Sequence, residues 1–203
     1  MLVWTIEAAI ASELAPRVHV CTEDAEIARV AAEHGAEVYR IPPEMAGDEV
    51  SSTVPCLALH DELVRAGGSI EFIFNLQPTS PLRGAADLRG AYQRLLEAKA
   101  DFLVSVTPID PHYFHWAVVE KEGGYEMYFG KQFLLERPRL PPVWRPNGAI
   151  KLARAARLKE TGNYFGKPLA AFPMPEERSI HVATAFDLTC AGAMLAGRGR
   201  VQA

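Results

Sequence analysis

Several features are missing from this chain, and each absence removes a class of function. No lysine precedes Lys99, so the first half holds no ammonium group to grip a phosphate. No apolar run approaches the ~18–20 residues needed to span a bilayer, so no membrane role is expected. The formal charge is −4 and the pI about 5.9, which offers no bulk attraction for nucleic acid or anionic lipid. The patterns GxGxxG, GxxxxGK[ST], GxSxG and HExxH are all absent, and with them the usual sequence marks of dinucleotide, P-loop, serine-hydrolase and zinc-protease sites. The three cysteines, Cys21, Cys56 and Cys190, are odd in number, far apart and without a CxxC. They read as reduced thiols of a cytosolic protein. The segment Met1–Glu7 has no basic leader and Glu7 and Glu13 interrupt its apolar character, so no signal peptide is expected and the location reads as cytoplasmic.

What remains is an ordinary globular composition. The 203 residues are 49% apolar and 23% charged, which suits one domain over 1–203. Helical spacing predicts a helix over Trp4–Leu14, and Val18–Cys21 reads as a short strand. Thr22 is placed to cap a helix over Asp24–His34. Glu37–Ile41 reads as a strand, Thr53–Ala66 as a helix and Ala85–Ala98 as another. Ile70–Leu76 and Phe102–Val106 are nearly continuous apolar runs, the mark of strands covered on both faces. The alternation of strand and helix implies an α/β fold with a mostly parallel sheet between helices. The pattern then changes. Ala117–Phe129 alternates about Gly123-Gly124, which predicts a hairpin with a primed turn. Lys131–Pro146 is irregular and rich in Pro and Arg, so 110–147 reads as an inserted hairpin and arm. Ala149–Leu152 resumes a strand and Ala155–Glu160 is a short helix. Phe172–Met174 and Ser179–Val182 are short strand candidates, and Ala185–Ala196 closes the chain as a helix.

Ligands of open α/β sheets sit at the carboxyl ends of parallel strands, and four segments lie at such ends. Leu76-Gln77-Pro78-Thr79-Ser80-Pro81-Leu82-Arg83 presents a carboxamide from a loop stiffened by two prolines. Trp144-Arg145-Pro146-Asn147-Gly148-Ala149-Ile150 offers a guanidinium fork for a carboxylate or phosphate, and Asn147 both donates and accepts. Ser51 and Ser52 lie where a helix begins and serve it as caps, or read a base edge. His181, Val182 and Ala183 precede the last helix. No second His or carboxylate stands at metal-ligand spacing there, and the HxxH pair His112/His115 is a weak metal signal.

Taken together, Trp4–Ala9, Val20–Ala28, Pro43–Asp48, Leu76–Arg83 and Arg145–Ile150 resemble, in this order, the acylneuraminate cytidylyltransferases, or CMP-sialic acid synthetases. The resemblance implies a Rossmann-like three-layer α/β/α fold with an inserted β-hairpin region, over about 110–145, through which a homodimer forms. It implies transfer of CMP from CTP to a nine-carbon sugar acid, with release of pyrophosphate. By position, Ser52 resembles a residue of the cytosine pocket. Gln77, Arg137, Arg145 and Asn147 resemble contacts of the sugar-acid pocket.

Two departures accompany the resemblance. The family opens with a strand and a phosphate-cradling loop, whereas Met1 stands directly before a helix. That strand lies between those matching Val18–Cys21 and Ile70–Leu76, so a gap or a collapse is expected there. An open slot would mark a truncated chain and regular pairing a natural short form. The family's Mg²⁺ site uses two aspartates, where this chain has His181 and Ala183. A hard cation wants carboxylate oxygens, so no intact catalytic or metal residue is expected, with Glu176 and Glu177 the nearest substitutes. The alternative reading is a non-catalytic homologue that binds sugar acid or nucleotide, or pairs with an active subunit. A related nucleotidyltransferase or a glycosyltransferase of the same topology is a third.

Overall fold

Side chains one residue apart in the strands face opposite layers, and that alternation organises the molecule. The computed structural model describes residues 1–198. Its helices are α1 (Leu2–Ala11), α2 (Ala25–Glu33), α3 (Thr53–Arg65), α4 (Ala85–Glu97), α5 (Pro111–His115), α6 (Ala155–Thr161) and α7 (Ala185–Arg198). Its strands are β1 (His19–Thr22), β2 (Glu37–Arg40), β3 (Phe72–Asn75), β4 (Phe102–Ile109), β5 (Val118–Lys121), β6 (Gly124–Met127), β7 (Val143–Arg154) and β8 (Leu169–Pro173). Leu103, Leu152, Phe72 and Phe74 pack with Leu88, Ala91 and Leu95 of α4 on one side. Phe102, Ala153 and Ile73 pack with Leu57 of α3 and Leu158 of α6 on the other. The result is an α/β/α stack.

The main sheet has the order β3-β7-β4-β8. β4 and β8 are parallel, whereas β7 runs antiparallel to both β3 and β4. Three of its four strands therefore point the same way, in line with the mostly parallel sheet expected. A separate parallel pair joins β1 to β2. Among the described residues β1 does not pair with β3, so the regular pairing that was one expectation is not found and a break in the laddering separates the two sheets. Two helices bridge it. In α1, Ile6 packs with Ala31, Ala36 and the valines of β1 and β2, while Ala9 reaches the main core. α3 touches both β1 and β3.

Several expectations need correction. The cap of α2 is Asp24, whose carboxylate accepts from Ile27 N at 2.8 Å. Thr22 sits two residues too early and instead accepts from Asp24 N at 3.1 Å. The hairpin pairs Lys121 with Gly124, so the turn is Glu122-Gly123. Gly123 has φ +91°, and Glu122 is not among the residues of positive φ. A primed type I turn needs positive φ at both central residues, and a primed type II turn at the first; positive φ at the second alone is the type II arrangement. Ser179–Val182 forms no strand, whereas β7 reaches back to Val143, through residues that read as irregular. There Thr107 and Arg145 are paired by the ladder itself. All three cysteines are free. Burial, with Cys56 adding to it, pushes the Cys21 thiol up to about 12, so that thiol stays protonated and unreactive at neutral pH.

Candidate ligand site at the ends of β3 and β7

The site is built on an irregularity in β7. Val104 pairs with Lys151, so a regular ladder would set Val106 opposite Ala149; it lies opposite Pro146 instead. The intervening residues, Asn147 and Gly148 among them, bulge out of the ladder, and a bulge re-aims side chains at a sheet end. Gly148 has φ +74°. A Cβ there would lie 2.8 Å from His181 Nδ1 and 3.4 Å from Gln77 Oε1. Only glycine meets both the conformation and the space. The Gly148→Ala variant is expected to lose about 1–2 kcal/mol from the left-handed backbone alone and to push His181 out of place. A thermal melt and the His181 imidazole resonances in an NMR spectrum would show both effects.

The loop after β3 and the segment before α7 are tied together beside this bulge. Val182 N donates to Thr79 O at 2.7 Å. Thr79 Oγ1 and Ser80 Oγ lie 3.4 and 3.3 Å from His181 Nδ1. Gln77 and His181 therefore flank Gly148 from two segments distant in sequence.

Asn147 holds the bulge from inside. It is 1% exposed. Its Oδ1 accepts from Ser105 Oγ at 2.6 Å and from Ala149 N at 3.1 Å. Its Nδ2 donates to Ser179 Oγ at 2.8 Å and lies 3.5 Å from Met174 Sδ. The carboxamide is committed to the protein, so its contribution is to fix the backbone of Gly148 and the segment that leads to His181. Sequence reasoning missed Ser105 and Ser179, since single serines in or beside apolar runs carry no pattern. It also missed the forked pair between Arg178 and Asp87, with contacts of 2.8 and 3.3 Å, which anchors the same segment to the start of α4. Arg83 is buried too. It donates to Ala149 O and, at 2.9 Å, to Thr5 Oγ1. Burial pulls its guanidinium down to about 10, against the opposing charge of Asp87, and it remains a cation at neutral pH.

The other expected residues divide. Arg145 is exposed on β7, and no ion pair or side-chain hydrogen bond engages it among the described residues, so its fork is free for a ligand. Ser52 is the N-cap residue of α3 but caps with no side-chain bond, its Oγ instead accepting from Asn75 Nδ2 at 2.9 Å; Ser51 Oγ accepts from Thr53 N at 3.3 Å. Arg137 stands in the arm, ion-paired to Asp110 at 3.0 Å. Both line a cavity of about 240 Å³ with Trp144 and Glu176. The site thus brings together Gln77, Gly148 and His181, backed by Asn147, while Arg137 belongs to the separate cavity of the arm.

Residues 1–130 match the family model described as Cytidylyltransferase. The chain belongs to the cytidylyltransferase family. By family it is a nucleotidyltransferase. It is 30% identical over 195 residues to N-acylneuraminate cytidylyltransferase A of Danio rerio, an alignment covering 91% of this chain and 42% of that protein. It is 28% identical over 200 residues to N-acylneuraminate cytidylyltransferase of Escherichia coli, covering 94% and 45%. The chain spans less than half the length of these two curated relatives. A solved structure of CMP:2-keto-3-deoxy-manno-octonic acid synthetase complexed with CTP superposes with a TM-score of 0.69 at 14% identity, covering 96% of this chain and 87% of that one. That likeness establishes the nucleotidyltransferase fold. No helix among the described residues is long and apolar enough to cross a membrane.

Mg²⁺, which the resemblance implies for cytidylyltransferases, does not fit the donors present. His181 is an imidazole and Ala183 a methyl group. The adjacent carboxylate, Asp187, is already engaged: its Oδ2 accepts from Ala183 N at 3.1 Å, Thr184 N at 2.8 Å and Thr184 Oγ1 at 2.7 Å. In return Thr184 Oγ1 accepts from Asp187 N at 3.2 Å, a reciprocal cap on α7. These bonds, the Thr184 hydroxyl first, hold Asp187 below the usual carboxylate range. Glu176 and Glu177 lie exposed on a short 3₁₀ turn, with Glu176 facing the arm's cavity. Among the described residues no three His, Cys, Asp or Glu stand together to hold a metal ion.

Proposed function

We propose that this cytidylyltransferase acts on a nonulosonic, sialic-type sugar acid, with CTP as the nucleotide. In the reaction so implied, the anomeric hydroxyl oxygen of the sugar bonds to the α-phosphorus of CTP and pyrophosphate leaves. The observation that carries this reading is the free Arg145 guanidinium on the strand that bulges at Asn147 and Gly148, with Gln77 beside the bulge. A planar fork is the natural partner of a carboxylate, and every nonulosonic acid has one. Gln77 supplies a donor and an acceptor to the sugar's hydroxyls, and Asn147 fixes the wall between them. Ser52 stands at the start of α3, on the side proposed for cytosine. The arm, which exposes Tyr113, Tyr125 and Tyr128, is proposed to pair with a second copy of the chain.

His181 and Ala183 favour a second reading, in which the chain binds the sugar acid or nucleotide, or pairs with an active subunit, without turning CTP over. Pyrophosphate release from CTP, with Mg²⁺ and N-acetylneuraminate present, separates the two. Turnover at an ordinary enzymatic rate supports transfer. Binding of N-acetylneuraminate without turnover supports the second reading. The absence of both overturns the assignment of the site.

A further inference from the structure

We propose that His181 is a ligand-binding residue that donates from Nε2 to an anionic oxygen of the ligand, so that binding at this site needs no divalent cation. The inference deepens the reading above and rests on it.

Three observations meet here. The first concerns the ring nitrogens. Nδ1 lies 3.4 Å from Thr79 Oγ1 and 3.3 Å from Ser80 Oγ. A hydroxyl can donate or accept; the arrangement proposed is the one in which the two hydroxyls donate to Nδ1, which puts the ring proton on Nε2. Among the described residues Nε2 makes no hydrogen bond, and it is not one of the buried unpartnered atoms. It is an accessible donor with nothing to bond. The second concerns position. The ring packs against Gly148 so closely that no side chain fits between them, with Gln77 on the same glycine. His181 Nδ1 and Gln77 Oε1 thus stand about one backbone position that presents no side chain of its own, and each of the two side chains carries a donor at its other polar atom. The third concerns the competing donor set. Just before α7, the amides of Ala183 and Thr184 are taken by Asp187, so these two do not compete with His181 for an anion. Asp187 is the carboxylate within electrostatic reach of His181; its charge is exposed and held by three donors, so solvent screens it from a ligand.

The shared chemistry is a charged oxygen, from either a carboxylate or a phosphoryl group, and the experiment distinguishes them. Calorimetric titrations would use the purified chain with N-acetylneuraminate, its methyl ester and CTP, each in a chelator and in Mg²⁺. The expected result is equal affinity in both buffers for at least one probe. That affinity weakens about tenfold or more in His181→Ala, as for a lost hydrogen bond to a charged group. It is restored in His181→Gln, whose amide nitrogen reaches the Nε2 position. A carboxylate source loses affinity on esterification; a phosphoryl source shows the effect with CTP. The Nε2 resonance of His181 should shift with the probe that binds. Binding abolished by the chelator, or unchanged in His181→Ala, overturns the proposal while the functional reading stands. Binding as weak in His181→Gln as in His181→Ala also overturns it. No binding of any probe overturns both. Melting temperatures near that of the parent chain confirm that the variants fold.

Discussion

Asn147→Ala is expected to lower the melting temperature by roughly 6–12 °C. The substitution removes the acceptor of Ala149 N, a donor from a residue that is fully buried. It also strips Ser179 Oγ of its incoming hydrogen bond and Ser105 Oγ of its acceptor. Ser105 can turn to Ile150 O, 3.3 Å away, but the Ala149 amide has no substitute. A buried donor left unsatisfied costs about 1–3 kcal/mol, and the vacated carboxamide adds a small cavity. A total of about 3 kcal/mol is a large part of the stability of an ordinary domain. Differential scanning fluorimetry would measure it. A melt unchanged within about 1 °C would mean that Asn147 does not brace the bulge. Asn147→Ala should also weaken ligand binding indirectly, because Gly148 loses its fixed position.

Arg145→Ala is expected to weaken binding of N-acetylneuraminate by about 10–100-fold while leaving the melt nearly unchanged. The two halves of that expectation have one cause. The Arg145 side chain is exposed and engages nothing among the described residues, while its backbone pairing with Thr107 survives the substitution, so the fold loses little when the guanidinium is removed. A charge-assisted, forked contact to a carboxylate contributes about 1.5–3 kcal/mol, and each 1.4 kcal/mol is about tenfold in affinity. Arg145→Lys should recover only part of the loss, since an ammonium is not a planar fork. Titration calorimetry on the two variants tests this, and parent-like affinity in Arg145→Ala would remove the carboxylate pocket from the proposal.

Much of the architecture was legible from the chain. The apolar runs around Phe72–Asn75 and Phe102–Val106, each flanked by helical spacing, led to covered strands and an α/β stack. Their alternation shows in the opposed faces of Phe102 and Leu103. Residues Val143–Pro146 were not legible as strand. Two of the four positions before Asn147 carry a tryptophan and a proline, and what makes them extended is the partner strand, not their own propensity. The end of α2 was misread for a related reason: Thr22 and Asp24 are both good caps, and only the helix's actual first turn decides between them. At the site, Arg145 and Gln77 could be singled out by chemistry because their groups remain unspent. Asn147 could not be placed so well, because a carboxamide that serves buried serines looks the same on paper as one that serves a ligand. Ser105 and Ser179, its partners, leave no trace in composition or spacing. The change of donor at His181 and Ala183 was visible, but the two hydroxyls that face the ring's Nδ1 come from a loop about a hundred residues earlier.

The unladdered seam between β1 and β3 has an energetic consequence. Backbone bonds that would weld the two sheets are replaced there by side-chain contacts, through Ile6, Ala9 and the Thr5–Arg83 hydrogen bond of α1 and through α3 with its Ser52–Asn75 hydrogen bond. The β1–β2 lobe is therefore expected to open at a lower free energy than the main sheet in native-state hydrogen exchange, and equal protection of the two would show one cooperative unit. Gln77, Gly148 and His181 lie outside that lobe, at the end of the main sheet, so the geometry they share is expected to outlast its opening.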